Sequence, residues 1–188
     1  MIYELTHDYE NTYLLLLDGV ELYTKMPTFR PTFKAKPRLE DWVAPSATFF
    51  KSENYTGTSE VLPDITNWST GVLALNLKAY DVFYDYLSAC GEFLPITVNN
   101  EKFYLFNTLY VIPDSEIDMK NAVEVIDSRV HMGQSNVNYN ENYLNNEDRL
   151  IFKTRSDKLF SSYCTDVFKA LYEANNFKGL VFKALEIK

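Results

Sequence analysis

Apolar positions along this chain recur with two periods, and the change from one to the other marks out its elements. Tyr13 to Leu17 is an uninterrupted apolar run after Asp8 and Glu10, which reads as a buried strand. Its continuation, TYLLLLDGVELYT, places β-branched, aromatic and apolar residues around Asp18-Gly19, a hairpin-type dipeptide. Four prolines then fall at 27, 31, 37 and 45. Proline removes a ladder N–H and blocks a helix, so 26–47 reads as an extended, irregular surface segment pinned by Trp42. From Asn76 to Ala89 the spacing turns helical. Ala79, Val82, Phe83, Tyr86, Leu87 and Cys90 share one face, Asn76 suits the N-cap, and Gly91 stands where a left-handed exit glycine belongs.

Alternation resumes in a hairpin. Phe93, Leu94, Ile96 and Val98 form one arm, Phe103 to Phe106 the other, and Asn99-Asn100-Glu101 the turn. Residues 113–149 are polar and asparagine-rich, with one short helical hint at 119–126. Long polar segments inside compact domains are usually functional or mobile. Order returns with two strand-like runs, Leu150-Ile151-Phe152 and Leu159-Phe160. A helix follows from a Thr165 cap to about Ala174, with Val167, Phe168 and Leu171 facing inward. Asn175-Asn176 suits a left-handed exit, and Gly179 a turn before a closing strand at Leu180-Val181-Phe182. Strand runs mixed with two or three helices predict an α+β fold, mainly antiparallel sheet. The 188 residues suit a single domain, divided here into a β-rich region at 1–60 and an α+β body at 61–188.

Charge adds a regional contrast. The net charge is −8, and residues 61–150 hold 13 acidic against 5 basic residues, whereas 151–188 hold 4 against 7. Binding to nucleic acid is not expected, since phosphate neutralisation needs clustered Lys and Arg; a basic partner is the natural complement. No apolar window is long enough to span a membrane, and the acidic N-terminus lacks the pattern of a secretory signal, which predicts a cytoplasmic protein. Cys90 and Cys164 then read as two reduced, buried thiols.

Candidate chemistry is sparse. Six well-separated glycines give no phosphate-cradling motif. Gly133-Gln134-Ser135 opens like a nucleophile elbow but has Val137 where the second glycine is needed. His7 and His131 have no partner at metal-ligand spacing, so no cofactor is expected. Asp114, Glu116 and Asp118 alternate, which in a strand would put three carboxylates on one face, although Met119 breaks a calcium-loop pattern. Asn138, Tyr139, Asn140, Glu141 and Tyr143 set two tyrosines in polar surroundings, a composition favoured at protein interfaces. The acidic turn and this segment are therefore the predicted partner-binding surface, and no catalytic residue is assigned. Two other readings stay open: a small hydrolase using the three acids or His131, and a glycan- or peptide-binding module using exposed tyrosines.

Two long stretches carry a family resemblance. They are LPDITNWSTGVLALNLKAYDVFYDYLSACGEFLPITVNNEKFYLFNTLYVIPDSE (62–116) and RLIFKTRSDKLFSSYCTDVFKALYEANNFKGLVFKALE (149–186). The order is a helix ending at a glycine, an F-L-P strand, a Tyr-rich strand into an acidic turn, an Ile-Phe-Lys strand, and a closing helix before N-x-x-G. In this order residues 61–188 resemble bacterial immunity proteins of polymorphic and secreted toxin systems, the myxobacterial-type immunity domain. The resemblance implies a cytoplasmic, non-enzymatic protein that binds and neutralises a cognate toxin or effector, such as one delivered by type VI or contact-dependent secretion. It implies nothing about oligomeric state.

Overall fold

The computed structural model describes residues 1–69, 71–127, 130–146 and 149–185. Helices take up 22% of the chain and strands 37%, mostly antiparallel, so the fold is α+β and mainly sheet. In chain order the first elements are β1 (Ile2–His7), β2 (Leu14–Leu17), α1 (Gly19–Lys25), β3 (Ser46–Phe50), β4 (Ile65–Ser69) and β5 (Val72–Asn76). Next come α2 (Leu77–Leu87), β6 (Gly91–Val98), β7 (Glu101–Thr108), β8 (Ile117–Asp118), β9 (Val123–Asp127) and β10 (Val130–Ser135). The chain continues through β11 (Asn138–Tyr139), α3 (Glu141–Asn146), β12 (Ile151–Phe152), β13 (Tyr163–Thr165), α4 (Asp166–Ala174) and β14 (Leu180–Ala184).

Two sheets organise the molecule. One has six strands in the order β2-β3-β6-β7-β5-β4, antiparallel except where β3 meets β6; the other runs β12-β13-β1-β14. Residues 1–60 are threaded through both. β1 lies between β13 and β14, pairing Ile2 with Thr165 and Leu5 with Phe182, while β2 and β3 extend the six-stranded sheet. The region at 1–60 is thus interleaved with the rest of the chain.

The central strands are buried on both faces, which explains their unbroken apolar runs: Val72 to Leu75 and Phe103 to Phe106 are all buried. On one side lie α2 and α4, where Phe83 stacks on Phe168 with ring centroids 4.7 Å apart. On the other, Leu94, Ile96 and Leu105 pack under the proline-rich segment. That segment is irregular, as its prolines dictate, and Trp42 pins it by donating from Nε1 to the Pro95 carbonyl at 2.8 Å. It is more than a surface strap, because Phe33 within it is completely buried.

The helix at 77–87 starts as the sequence indicates, with Asn76 Oδ1 accepting from the Ala79 N–H at 2.8 Å. Ala79, Phe83 and Leu87 face the core, whereas Tyr86 faces solvent. Asn76 also donates to the Asp64 carboxylate. Asn76→Ala is expected to cost about 1 kcal/mol, the usual size of an N-cap contribution, and a urea midpoint unchanged from wild type would contradict that role.

Gly91 is the first residue of β6 and needs no left-handed conformation; its missing side chain admits β7, since a Cβ there would lie 2.2 Å from the Asn107 carbonyl oxygen. The β6–β7 turn is the two residues Asn99 and Asn100, both left-handed at φ 51° and 67°, and Glu101 already pairs with Val98. Asn176 (φ 52°) and Gly179 (φ 112°) take the left-handed geometry expected before β14.

Four further local expectations are overturned. Asp18-Gly19 starts α1, with the Asp18 side chain accepting from the Glu21 N–H, because a cap followed by VELYTK offers a helix as readily as a hairpin. Residues 119–126 form no helix, and 123–126 belong to strand β9. Leu159-Phe160 lies in a loop, with Leu159 left-handed at φ 64°, and the strand expected there begins at Tyr163. In α4, Tyr172 takes the buried position that the sequence reading gave to Val167, which is exposed.

Candidate functional site

The polar stretch folds back on itself through its own side chains. After Pro113, residues Asp114–Glu116 form a 3-10 turn, so the three acids do not alternate on one strand face. Asp114 is exposed and 3.4 Å from an Arg155 guanidinium nitrogen. Glu116 accepts from the Asn140 side chain at 2.7 Å, and its carbonyl accepts from the Asn140 N–H at 3.0 Å. Asp118 is exposed, accepts from the Lys120 N–H, and pairs with Asn138 across β8 and β11, as Ile117 does with Tyr139. The two segments singled out in the sequence are therefore brought together.

Their chemistry differs from the expectation in one respect. Tyr139 is buried, its ring 5.4 Å from Phe152 and 5.6 Å from Tyr163. Burial pushes its phenol up to about 12. It is a core residue, clustered with Ile112, Val137 and Leu144, because period-two placement in β11 turns it inward. Tyr143 is half-buried and accepts from the Tyr110 hydroxyl, while Asn140 caps α3 by accepting from the Tyr143 N–H at 3.1 Å. Glu141 accepts from the Met1 ammonium at 3.1 Å. Of the predicted partner-binding residues, Asn140, Asp114 and Asp118 are exposed.

Beside this acidic turn stands a feature absent from the sequence reading. β9 and β10 pair only with each other among the described residues, as a two-stranded ribbon with a bulge between His131 and Gly133. Gly133 (φ 121°) lets the ribbon sit directly on the 156–157 backbone: a Cβ there would meet the Ser156 carbonyl at 2.5 Å, and the Gln134 N–H donates to that carbonyl at 2.7 Å. Val123, Val125 and Ile126 are 53%, 39% and 63% exposed, and Met119 beside them is 38% exposed. A strand that shows apolar side chains on both faces, with an edge that pairs with no other strand among the described residues, is a surface that proteins normally cover. The alternating V-x-V-I of 123–126 was the available signal, and the helical spacing of Met119, Ala122, Val123 and Ile126 concealed it.

A buried polar cluster lies beneath the ribbon. Lys153 is completely buried and donates to the Leu159 carbonyl at 3.0 Å. Burial lowers its ammonium to about 8, against which Asp157 pulls upward. Asp157 accepts from the Leu159 N–H, the Ser161 N–H and the Tyr163 hydroxyl at 2.8–3.0 Å; burial nevertheless leaves its carboxyl above the usual range. Between this cluster and the ribbon is a cavity of about 550 Å³, walled by Tyr139, Tyr163, Phe160, Val125 and Glu4. Asp114, by contrast, borders a separate hollow of about 240 Å³ that Glu116 and Asp118 do not line. The His131 side chain lies outside the described residues.

Among the described residues no group of three His, Cys, Asp or Glu side chains is placed to hold a metal ion, and no helix is long and apolar enough to cross a membrane. Cys90 and Cys164 are both buried and unpaired to each other, and burial raises the Cys164 thiol well above its ordinary value. The fold and site define an α+β, sheet-dominated protein whose exposed apolar ribbon is flanked by acids. No protein-family model matches the chain, and no curated protein matches it either.

Proposed function

We propose that this protein acts by binding another protein, as an inhibitor of a basic toxin or effector, and transforms no substrate. The observation that carries the reading is the β9–β10 ribbon, whose exposed Val123, Val125 and Ile126 follow closely in the chain on Asp114, Glu116 and Asp118. An apolar centre with a charged rim is the anatomy of a protein interface: desolvated apolar anchors give affinity, and the acids speed encounter with a cationic partner. The net charge of −8, concentrated in 61–150, supports the same polarity. The resemblance of 61–188 to toxin-immunity proteins favours a toxin as that partner.

The direct test is co-expression with the product of the neighbouring reading frame, scored as rescue of growth, followed by titration of the two purified proteins. Glu116→Lys with Asp118→Lys is expected to weaken binding about tenfold, on the order of 1.4 kcal/mol, chiefly through a slower association rate at low salt. An association rate unaffected by both the reversal and the ionic strength would remove the acidic rim from the interface.

A further inference from the structure

The cavity under the ribbon extends the proposed interface inward, and its walls specify what enters. Three rings, Tyr139, Tyr163 and Phe160, line it, and its volume of about 550 Å³ falls within the range of roughly 300–1,000 Å³ typical of ligand pockets. Two carboxylates reach its lining, and they are in different states. Asp157 is committed to its own loop by three hydrogen bonds and faces Lys153 from the interior. Glu4 is not so committed. One of its oxygens accepts from the Ser161 hydroxyl at 2.7 Å, and the other has the Lys183 ammonium at 3.7 Å, beyond hydrogen-bond length. Lys183 is 70% exposed and lines the same cavity, so a surface cation already stands at this carboxylate.

We infer that the cavity receives one arginine side chain of the partner, which displaces Lys183 from Glu4 and lays its guanidinium against the tyrosine rings. Arginine fits better than lysine because its planar fork makes two parallel bonds to a carboxylate and stacks on aromatic faces. Val125 belongs to both the ribbon and the cavity wall, so a chain docked on the ribbon is placed to insert the side chain. This inference rests on the binding function proposed above.

The test titrates the full-length protein with N-acetyl-arginine amide, N-acetyl-citrulline amide and free L-arginine, followed by NMR shifts of the tyrosine rings. Saturable binding of the arginine amide is expected, at least tenfold tighter than that of its uncharged citrulline counterpart. Glu4→Gln, which keeps an acceptor for Ser161, should lose that preference, and Lys183→Ala should tighten binding by removing the resident cation. Equal binding of the arginine and citrulline amides, or an unchanged preference in E4Q, overturns the inference. So does tighter binding of free L-arginine than of its blocked amide, which marks a small-metabolite site instead. If the partner binds through the ribbon but E4Q leaves that affinity intact, the arginine anchor fails while the binding function stands. If the arginine probe binds at Glu4 but ribbon variants leave partner affinity unchanged, the cavity assignment stands and the ribbon interface fails.

Discussion

Asp157→Ala is expected to destabilise the protein by about 3 kcal/mol, since it leaves two backbone N–H groups and the buried Tyr163 hydroxyl without their acceptor. The carboxylate does three things at once. It faces the fully buried Lys153, accepts from two backbone N–H groups, and receives the Tyr163 hydroxyl. Those bonds hold a loop in which Lys158 and Leu159 both adopt left-handed backbone, at φ 59° and 64°. Neither residue favours that region, which costs roughly 1–2 kcal/mol per residue for an L-amino acid. Asp157→Asn keeps the shape but loses the charge, and should fall between wild type and alanine. Lys153→Met should be milder than D157A, since it removes a buried charge and retains an apolar stem. Urea midpoints measure all three, and a D157A loss under 1 kcal/mol would show that the cluster is not structural.

The same pair gives a pH signature. The folded pKa of Lys153, about 8, lies below the ordinary 10.5. Between those values the unfolded chain holds a proton that the folded protein has released, so this residue makes stability rise with pH through that window, and its contribution is lost as pH falls through 8. K153M should flatten that rise relative to wild type.

Val123→Asp with Ile126→Asp is expected to reduce partner affinity at least hundredfold, about 2.8 kcal/mol, while shifting stability by no more than roughly 0.5 kcal/mol. Both side chains are more than half exposed, so the folded monomer loses little when they become polar. In a complex the added carboxylates would be buried without partners, which is what makes the penalty large. Calorimetric titration together with a melting curve separates the two effects. Undiminished affinity in the double variant would sink the ribbon as an interface.

Legibility in the sequence followed how locally each feature is decided. Asn76 and its apolar spacing at 79, 83 and 87 specify a helix without help from elsewhere, and Asn99-Asn100 between two apolar arms specifies a hairpin. The expected buried thiols and the turn at Gly179 are of the same kind. Asp18-Gly19 was ambiguous because one dipeptide serves a hairpin turn or a helix cap, and the choice is made by Leu22 reaching the core. Tyr139 read as exposed because its neighbours are polar, yet in a strand those neighbours point the other way. Lys153 and Asp157 were invisible as a pair because a charged residue carries no sequence mark of being buried. Their burial depends on other segments of the chain: Gly71, where a Cβ would lie 2.6 Å from the Lys153 ammonium, and Gly133 of the ribbon, where one would lie 2.6 Å from the Asp157 Cα.

The placement of β1 between β13 and β14 bears on how the protein is made. Ile2 must find Thr165, and Leu5 must find Phe182, so β1 leaves the ribosome well ahead of the two strands it pairs with. Until then its backbone groups lack their ladder partners, and Ile2 on one face and Tyr3 and Leu5 on the other lack part of their native packing. Closure of this sheet should therefore be the slow, late event of folding, and the nascent chain most prone to association just before it.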